Sequence, residues 1–311
     1  MVAGGRGRGR ALAALIVVNV FWAGNYIVGA IAVDALDPIS LTFLRWLPAS
    51  LILLALAHVI ERPDWRRVVP LLPRLAVMSI LGMIGFSVLL YEGLRHTTPV
   101  TASLVSSASP VLITVVAAVA LRERAGWRAY AGLALGLVGV AFVVSRGDLD
   151  SLLALDFNPG DLWVIAATLC WVAYTVIGRV PLGIPNIASN AVQALVATVL
   201  LGAVVAVTGL ELPEDVPTWG SLGFIVLFAA TASYILWNSA IRTIPAAIAG
   251  LTLNLIPVFV AVIEFALGET ITLAEAVGGA IVLSGVLLAT VPVRRAPRAA
   301  SDVRASPTDS A

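Results

Sequence analysis

The sequence predicts an all-α polytopic membrane protein, with ten transmembrane helices in two inverted five-helix repeats and both termini in the cytoplasm. Three observations lead to this prediction. Charged residues make up only 12% of the chain and fall in clusters. The apolar stretches between the clusters are about 20 residues long, which as a helix crosses a bilayer core of about 30 Å. One sequence pattern occurs twice at a fixed offset, and the arginines lie almost entirely where one side of the membrane is expected.

Ten apolar segments are long enough to span the membrane. The first exceeds the apolar core of about 7–15 residues found in signal peptides, so we expect a retained helix. The spans are predicted at residues 11–33, 38–60, 74–95, 99–121, 126–145, 160–180, 187–209, 218–241, 246–267 and 272–292. The predicted domains are a basic cytoplasmic tail (1–10), a first repeat (11–145), an external loop (146–159), a second repeat (160–292) and a disordered cytoplasmic tail (293–311).

The two halves repeat the same prolines, glycines and glutamates in the same order. At an offset of 146, the matching pairs are Thr97 and Thr243, Pro99 and Pro245, Glu123 and Glu269, Gly132 and Gly278, and Gly139 and Gly285. Trp22 and Gly29 match Trp171 and Gly178 at an offset of 149. Because each half holds an odd number of spans, the two copies enter the membrane from opposite sides. Inverted repeats of this kind are typical of secondary transporters, whose site lies at the repeat interface near the midplane.

Every basic residue in the chain is an arginine. With the N-terminus inside, sixteen arginines lie in cytoplasmic segments and three lie elsewhere: Arg95, Arg146 and Arg45. This bias predicts that both termini lie in the cytoplasm. The membrane is expected to be the inner membrane of a bacterial cell. Arg45, in the second span, and Glu264 are expected to be shallow enough to extend their charges outward to water.

A proline lies near the middle of the fourth span and of the ninth span. Pro110 and Pro257 correspond after a one-residue slip, and each removes the helical donor from the carbonyl four residues earlier, that of Ser106 or Leu253. Small polar side chains lie at the same depth: Ser106, Ser107, Ser109, Thr252 and Asn254. One interpretation is a binding site at two broken helices, with the prolines as hinges. The other is a pair of simple kinks whose serines and threonines bond their own backbone.

Aromatic residues occupy equivalent midspan positions in the two halves. Trp22 and Trp171 lie deep in their spans, although membrane tryptophans prefer the interface. Asn25 and Tyr26 share a helix face with Trp22, and Tyr174 follows Trp171 by three residues. These residues are predicted to line a wet cavity, or else to pack between helices with a hydrogen-bonded indole.

Tyr91 and Trp237 also correspond, at an offset of 146, and the inversion places them near opposite membrane faces. Together with Tyr234 they are candidate gates of a pathway, or else residues of the inner and outer aromatic belts.

Glu92 is the strongest functional candidate among the carboxylates, because a charged side chain inside a membrane span is energetically costly. It could bind a cation or carry a proton, but Arg95 and His96 follow by three and four residues and would explain it as a local ion pair. His58 and His96 are isolated near span ends, so no metal site is expected. The chain shows no nucleotide-binding, catalytic or nucleic-acid-binding pattern, and no cofactor or enzymatic activity is expected.

Each half contains a Pro-Val pair followed, 11–12 residues later, by a glutamate and a glycine-rich last helix. With the tryptophan-to-glycine spacing of each half and Arg45, this pattern resembles the EamA family of the drug/metabolite transporter superfamily over residues 11–292. Within that family the chain is most similar to the YddG-type exporters of aromatic and other amino acids, which are also associated with methyl viologen efflux. The second half departs from the pattern at Gln193, where a counterpart of Arg45 would stand. The resemblance implies an alternating-access carrier with a cavity lined mainly by spans 1, 3, 4, 6, 8 and 9.

The sequence therefore predicts an exporter of amino acids and related small amphiphilic metabolites, functional as a monomer in the lipid bilayer. The expected substrate-binding residues are Trp22, Asn25, Tyr26, Tyr91, Ser106, Ser107, Trp171, Tyr174, Tyr234, Trp237 and Asn254. The alternatives are an organic-cation efflux carrier that uses Glu92, and a membrane receptor or scaffold that moves no solute. An enzyme acting on lipid would need a nucleophile, an acid–base pair or a metal set, which the sequence does not offer.

Overall fold

The computed structural model describes residues 5–120, 127–148, 150, 158–178, 182–241 and 252–290, and the regular elements within these ranges are all helical. Several predicted features lie outside the described residues: the turn at Glu123, most of the external loop, the start of span nine with Thr243 and Pro245, and the C-terminal tail.

The α-helices of the first half are α1 (Gly5–Val33), α2 (Pro38–Leu56), α3 (Leu72–Ser79), α4 (Phe86–Leu94), α5 (Pro99–Ser106), α6 (Ser109–Ala120) and α7 (Trp127–Val144). A π-helix (Ala57–Glu61) continues α2, and another (Ile80–Gly85) joins α3 to α4. Two 3₁₀ turns, Trp65–Arg67 and Val69–Leu71, precede α3.

The α-helices of the second half are α8 (Pro159–Gly178), α9 (Asn186–Thr208), α10 (Val216–Phe224), α11 (Ser233–Ile241), α12 (Ile256–Ala266) and α13 (Leu273–Thr290). A π-helix (Ile225–Ala232) joins α10 to α11, in the same place as the π-helix between α3 and α4. A 3₁₀ turn (Leu253–Leu255) precedes α12.

Six helical stretches are long and apolar enough to cross a membrane: Gly9–Val33, Pro38–Glu61, Trp65–Leu94, Pro159–Gly178, Asn186–Thr208 and Val216–Trp237. Four shorter apolar helices overlap the remaining predicted spans: Pro99–Ile113, Tyr130–Val143, Leu253–Ala266 and Leu273–Gly285. Large apolar side chains such as Leu51, Val207 and Phe265 point away from the protein. Since water would disfavour so much exposed apolar surface, the chain is a multi-pass membrane protein.

Several helices begin at a polar cap followed closely by a proline. The Asp37 carboxylate accepts from the backbone N–H groups of Ile39 and Ser40 at the start of α2. Thr98 caps α5 and Asp215 caps α10 in the same way. These caps satisfy N–H groups that have no partner within the helix.

Helices α2 and α9 lie side by side and run antiparallel, and each is held at its start by a glutamate from beyond the end of the other. The Glu61 carboxylate accepts from the N–H groups of Ile187 and Ala188, at 3.1 and 2.9 Å. Reciprocally, the Glu211 carboxylate accepts from the N–H of Asp37 at 2.6 Å. The two halves are therefore joined by exchanged end contacts.

Helices α7 and α13 form a second close antiparallel pair, and glycines make the contact. A Cβ atom added at Gly139 would lie 2.8 Å from the Gly278 carbonyl oxygen, and one at Gly285 would lie 2.6 Å from that of Gly132. The two contacts are images of each other under the offset of 146. These glycines let the two helices approach closely, as small residues commonly do in membrane helix pairs.

The remaining contacts between the halves also come in matched pairs. Helix α1 packs against α11 and α12 of the second half, while α8 packs against α4 and α6 of the first. These four contacts surround the centre of the protein, where the candidate site lies.

Candidate functional site

A cavity lies between the two halves, with about 800 Å³ of empty space when its opening to solvent is included. Its lining comes from α1, α2, the two broken helices, α8, and the segments around both central π-helices. The lining residues are Trp22, Asn25, Tyr26, Arg45, Gly82, Phe86, Leu90, Ser103, Ser106, Ser107, Ser109, Pro110, Trp171, Tyr234, Leu253, Asn254, Ile256 and Pro257. A concave wall that is mostly apolar, with a few polar groups, is typical of small-molecule sites.

The structure brings most of the predicted site residues together in this lining: Trp22, Asn25, Tyr26, Ser106, Ser107, Pro110, Trp171, Tyr234, Asn254 and Pro257. Three others lie next to lining residues without lining the cavity: Tyr91, Tyr174 and Trp237. Glu92 lies apart from them.

One wall is built on α1, where Trp22, Asn25 and Tyr26 share a face. The Trp22 indole N–H donates to the carbonyl of Ala229 at 3.2 Å. Ala229 belongs to the π-helix Ile225–Ala232, whose altered register leaves carbonyls available. The Trp237 ring packs against the Trp22 ring, with centroids 5.5 Å apart, and this contact helps to hold the Trp22 ring in place.

The opposite wall is aromatic and is built on α8. The Trp171 ring contacts Phe86 and Tyr174, with centroid separations of 5.2 and 5.3 Å. Gly82, in the π-helix Ile80–Gly85, leaves the space that the Tyr174 ring occupies, because a Cβ there would overlap the ring. This wall offers flat apolar surface to a ligand side chain.

The two proline-containing helices are broken beside the cavity. Helix α5 ends at Ser106 and α6 begins at Ser109, and in the second half a 3₁₀ turn leads into α12. The two carbonyls that lose their helical donors have local donors instead, and the serine contact is the one expected for a simple kink. The Ser106 carbonyl accepts from the Ser109 hydroxyl, and the Leu253 carbonyl accepts from the Ile256 N–H.

The Asn254 side chain is the polar group at the second break. It is 91% buried, and neither its amide nitrogen nor its amide oxygen has a hydrogen-bond partner among the described residues. A buried amide without partners costs about 1–3 kcal/mol. Such a group in a cavity wall is suited to receiving a ligand.

Arg45 is the residue that the sequence interpretation misplaced. The prediction that it reaches outward to water is wrong, because the side chain is 4% exposed and lines the cavity. Its Nη1 donates to the Tyr91 hydroxyl at 2.9 Å and to Asn25 Oδ1 at 3.4 Å. The guanidinium also lies over the Trp46 ring, 4.9 Å from its centroid. The Tyr91 hydroxyl in turn donates to Asn25 Oδ1 at 3.1 Å.

Glu92 forms the local ion pairs with Arg95 and His96 that the sequence offered as one explanation for it. Its carboxylate lies 3.6 Å from Arg95 Nη1 and 3.5 Å from His96 Nε2. The side chain is 30% exposed and is not part of the cavity lining. The local ion pair therefore accounts for this carboxylate.

A set of threonine–carboxylate contacts closes one end of the interface between the halves. The Thr97 hydroxyl donates to Asp161 Oδ1 at 2.6 Å. The hydroxyls of Thr98 and Thr101 lie 3.1 and 3.0 Å from Glu275 Oε1. We call these five residues the threonine clasp. Each contact joins α5 or the turn before it to the start of α8 or α13.

The sequence profile of the EamA-like transporter family matches this chain twice, over residues 9–145 and 158–291. The two matches coincide with the two halves described above.

Curated relatives are transporters. The chain is 29% identical over 226 residues to the uncharacterized transporter YyaM of Bacillus subtilis (strain 168), covering 70% of this chain and 73% of YyaM. It is 27% identical over 284 residues to a probable terminal-alkyne amino-acid exporter of Streptantibioticus cattleyicolor, covering 90% and 93%. It is 27% identical over 240 residues to an S-adenosylmethionine/S-adenosylhomocysteine transporter of Chlamydia trachomatis serovar L2, covering 74% and 73%.

The fold is also found in a solved structure. One crystal structure superposes with a TM-score of 0.65 at 20% sequence identity, covering 93% of this chain and 100% of its own. At this identity the likeness shows a shared fold.

Proposed function

This chain belongs to the EamA-like transporter family, and from that premise we propose that it exports amino acids and related small amphiphilic metabolites across a bacterial inner membrane. It works by alternating access, as a monomer, and without covalent chemistry on its substrate. The observation that carries the proposal is the cavity between the two halves, with aromatic walls and few polar anchors. Few anchors predict broad and weak selectivity.

The membrane topology in this proposal is ten spans in two inverted repeats, with both termini in the cytoplasm. Support comes from the two matches of one family profile and from the exchanged helix contacts, in which α1 contacts α11 while α8 contacts α4. The sixteen-to-three distribution of arginines supports the orientation.

The transport cycle in this proposal exposes the cavity to each side in turn. The breaks at Pro110 and Pro257 act as hinges, and the threonine clasp closes the outer end. Opening of the outer end in this proposal requires Thr97 to release Asp161, and Thr98 and Thr101 to release Glu275. Rocking of one repeat against the other about a central site is the usual motion of such carriers.

The names of the relatives favour amino-acid substrates. One relative is a probable amino-acid exporter, and another is a transporter of S-adenosylmethionine and S-adenosylhomocysteine. The organic-cation alternative depended on Glu92, which is paired with Arg95 and His96 away from the cavity. We therefore favour the amino-acid proposal.

Counterflow in proteoliposomes tests the proposal. Vesicles containing the purified protein are loaded with one unlabelled amino acid at a time and diluted into the same labelled compound. We expect transient accumulation for several amino acids. Ser107→Trp, which fills the cavity, should abolish it, whereas Ser284→Trp on the exposed face of α13 should not. Vesicles containing a receptor or scaffold would accumulate no labelled amino acid. Counterflow that is unchanged by Ser107→Trp would show that the substrate does not pass through the cavity.

A further inference from the structure

Among the described residues, the cavity wall contains a positive charge and no negative charge. Arg45 is the only ionisable residue of this described lining other than the neutral tyrosines, since the described lining includes no aspartate, glutamate, lysine or histidine. Within the described residues, the ion pairs are those of Asp64 with Arg67 and of Glu92 with Arg95 and His96. No carboxylate pairs with Arg45 in this part of the chain.

A buried guanidinium without a counter-charge is costly, because arginine stays protonated at any physiological pH. The Arg45 side chain makes two hydrogen bonds and a cation–π contact with the Trp46 ring, and these offset part of that cost. Both hydrogen bonds use Nη1, and Nε has no acceptor among the described residues. The guanidinium therefore keeps donors for a further partner.

The neighbours of Arg45 hold it in one orientation. Asn25 Oδ1 and the Tyr91 hydroxyl bind one side of the guanidinium, and they also bind each other. A guanidinium fixed in this way is suited to a planar carboxylate, which it recognises through paired N–H···O bonds. Prior fixing lowers the entropy lost when a ligand binds.

We propose, on the basis of the proposed carrier function, that Arg45 binds the carboxylate of the transported substrate. The cavity then selects amino acids and other organic carboxylates against amines and cations that lack this group. The amide of Asn254, which has no partner among the described residues, binds the remaining polar groups of the ligand, and the ring of Trp171 contacts its apolar side chain. A dication placed in this cavity would meet the charge of Arg45 without any carboxylate to offset it.

Binding to the purified wild-type protein tests this selectivity directly. Ligand-dependent thermal stabilisation is measured with matched pairs that differ in the carboxylate: phenylalanine and phenethylamine, leucine and 3-methylbutylamine, tryptophan and tryptamine. The anion 3-phenylpropionate and the dication methyl viologen complete the set. We expect the carboxylate member of at least one pair to bind at least about tenfold more tightly than its amine. Equal binding within every pair, tighter binding of the amines, or binding by none of the compounds overturns the proposal.

Variants separate a binding role from a purely structural one. Arg45→Gln should weaken binding of the carboxylates by about tenfold to a hundredfold and leave the amines unchanged or slightly improved. Arg45→Lys, which keeps the charge without the planar fork, should fall between the two. Arg66→Gln removes an exposed positive charge and should bind like the wild type. If Arg45→Gln weakens both members of a pair equally, Arg45 acts through the shape of the cavity and the proposal fails.

The wild-type comparison needs no variant, so it stands even if Arg45→Gln does not fold. Counterflow of the same compounds tests the carrier function separately from the Arg45 carboxylate site. Carboxylate-dependent binding without counterflow would reject the carrier function and keep the Arg45 site. Counterflow that is indifferent to the carboxylate would keep the carrier and reject the site.

Discussion

Met83 and Ala229 occupy equivalent positions in the two halves, 146 residues apart, and the backbone carbonyl of each accepts an indole N–H. Trp46 donates to Met83 at 3.0 Å, and Trp22 donates to Ala229 at 3.2 Å. Both acceptors lie in π-helices, where the shifted backbone register makes such a carbonyl available. The repeat therefore preserves the acceptor, while the donors come from different positions.

Trp46→Phe should destabilise the protein by about 1–3 kcal/mol, because the buried Met83 carbonyl would lose its donor. Trp46 is fully buried, so water cannot replace the indole. Thermal unfolding in detergent measures the change. The control is Trp219→Phe, at the half-exposed start of α10, which should change stability by less than about 0.5 kcal/mol. Equal effects of the two substitutions would show that this hydrogen bond does not matter.

Gly139→Ala should cost about 1–3 kcal/mol, because its Cβ would press on the Gly278 carbonyl and on the backbone nitrogen of Val282. Gly136→Ala, three residues earlier on α7, should be neutral or stabilising by up to about 1 kcal/mol, since nothing lies within 4 Å of the added Cβ. Denaturation of both variants in the same detergent provides the comparison. If both variants lost similar amounts of stability, the close approach of α7 and α13 at Gly139 would not be the cause of the loss.

Thr97→Val should favour opening of the outer end, because the Asp161 carboxylate loses the hydroxyl that holds it to the first half. A loss of about 1–2 kcal/mol would raise the open population about 5- to 30-fold. The measurement is labelling of Ser103→Cys in the cavity by an impermeant thiol reagent added outside, in a Cys170→Ser background. Thr208→Val, whose hydroxyl bonds only to backbone at the exposed end of α9, is the matched control. Unchanged labelling in Thr97→Val would show that the clasp is not a gate.

The proposed orientation of the chain predicts which loops an impermeant thiol reagent reaches in intact cells. In the Cys170→Ser background, Glu214→Cys between α9 and α10 should react from outside, and Arg66→Cys between α2 and α3 should react only after the membrane is made permeable. Both positions are exposed, so accessibility within the protein does not limit either reaction. The reverse pattern would invert the topology.

Much of the cavity was predictable because its residues combine an unusual type with an unusual depth. Tryptophans and prolines at the middle of a span, such as Trp22 and Pro257, are uncommon, and the structure places both in the cavity lining. Arg45 was misplaced because sequence gives the depth of a residue along its helix, while the direction of its side chain depends on how the helix is rotated in the bundle. The π-helices were missed for a similar reason. Their local sequences, such as Ile80–Gly85, are as apolar as those of an ordinary membrane helix. The wider π-helical turn is stabilised by a donor that is distant in sequence, such as the Trp46 indole N–H.

The reciprocal contacts of Glu61 and Glu211 have a consequence for how the chain matures as it is synthesised. Until residue 211 leaves the ribosome, the start of α2 lacks the acceptor that Glu211 gives to Asp37, and Glu61 waits for a helix that begins at Asn186. The first half thus enters the lipid before the surface that packs on the second half has its partner. That surface stays uncovered for as long as translation of the second half takes, and two halves expressed as separate chains would have to associate before these end contacts form.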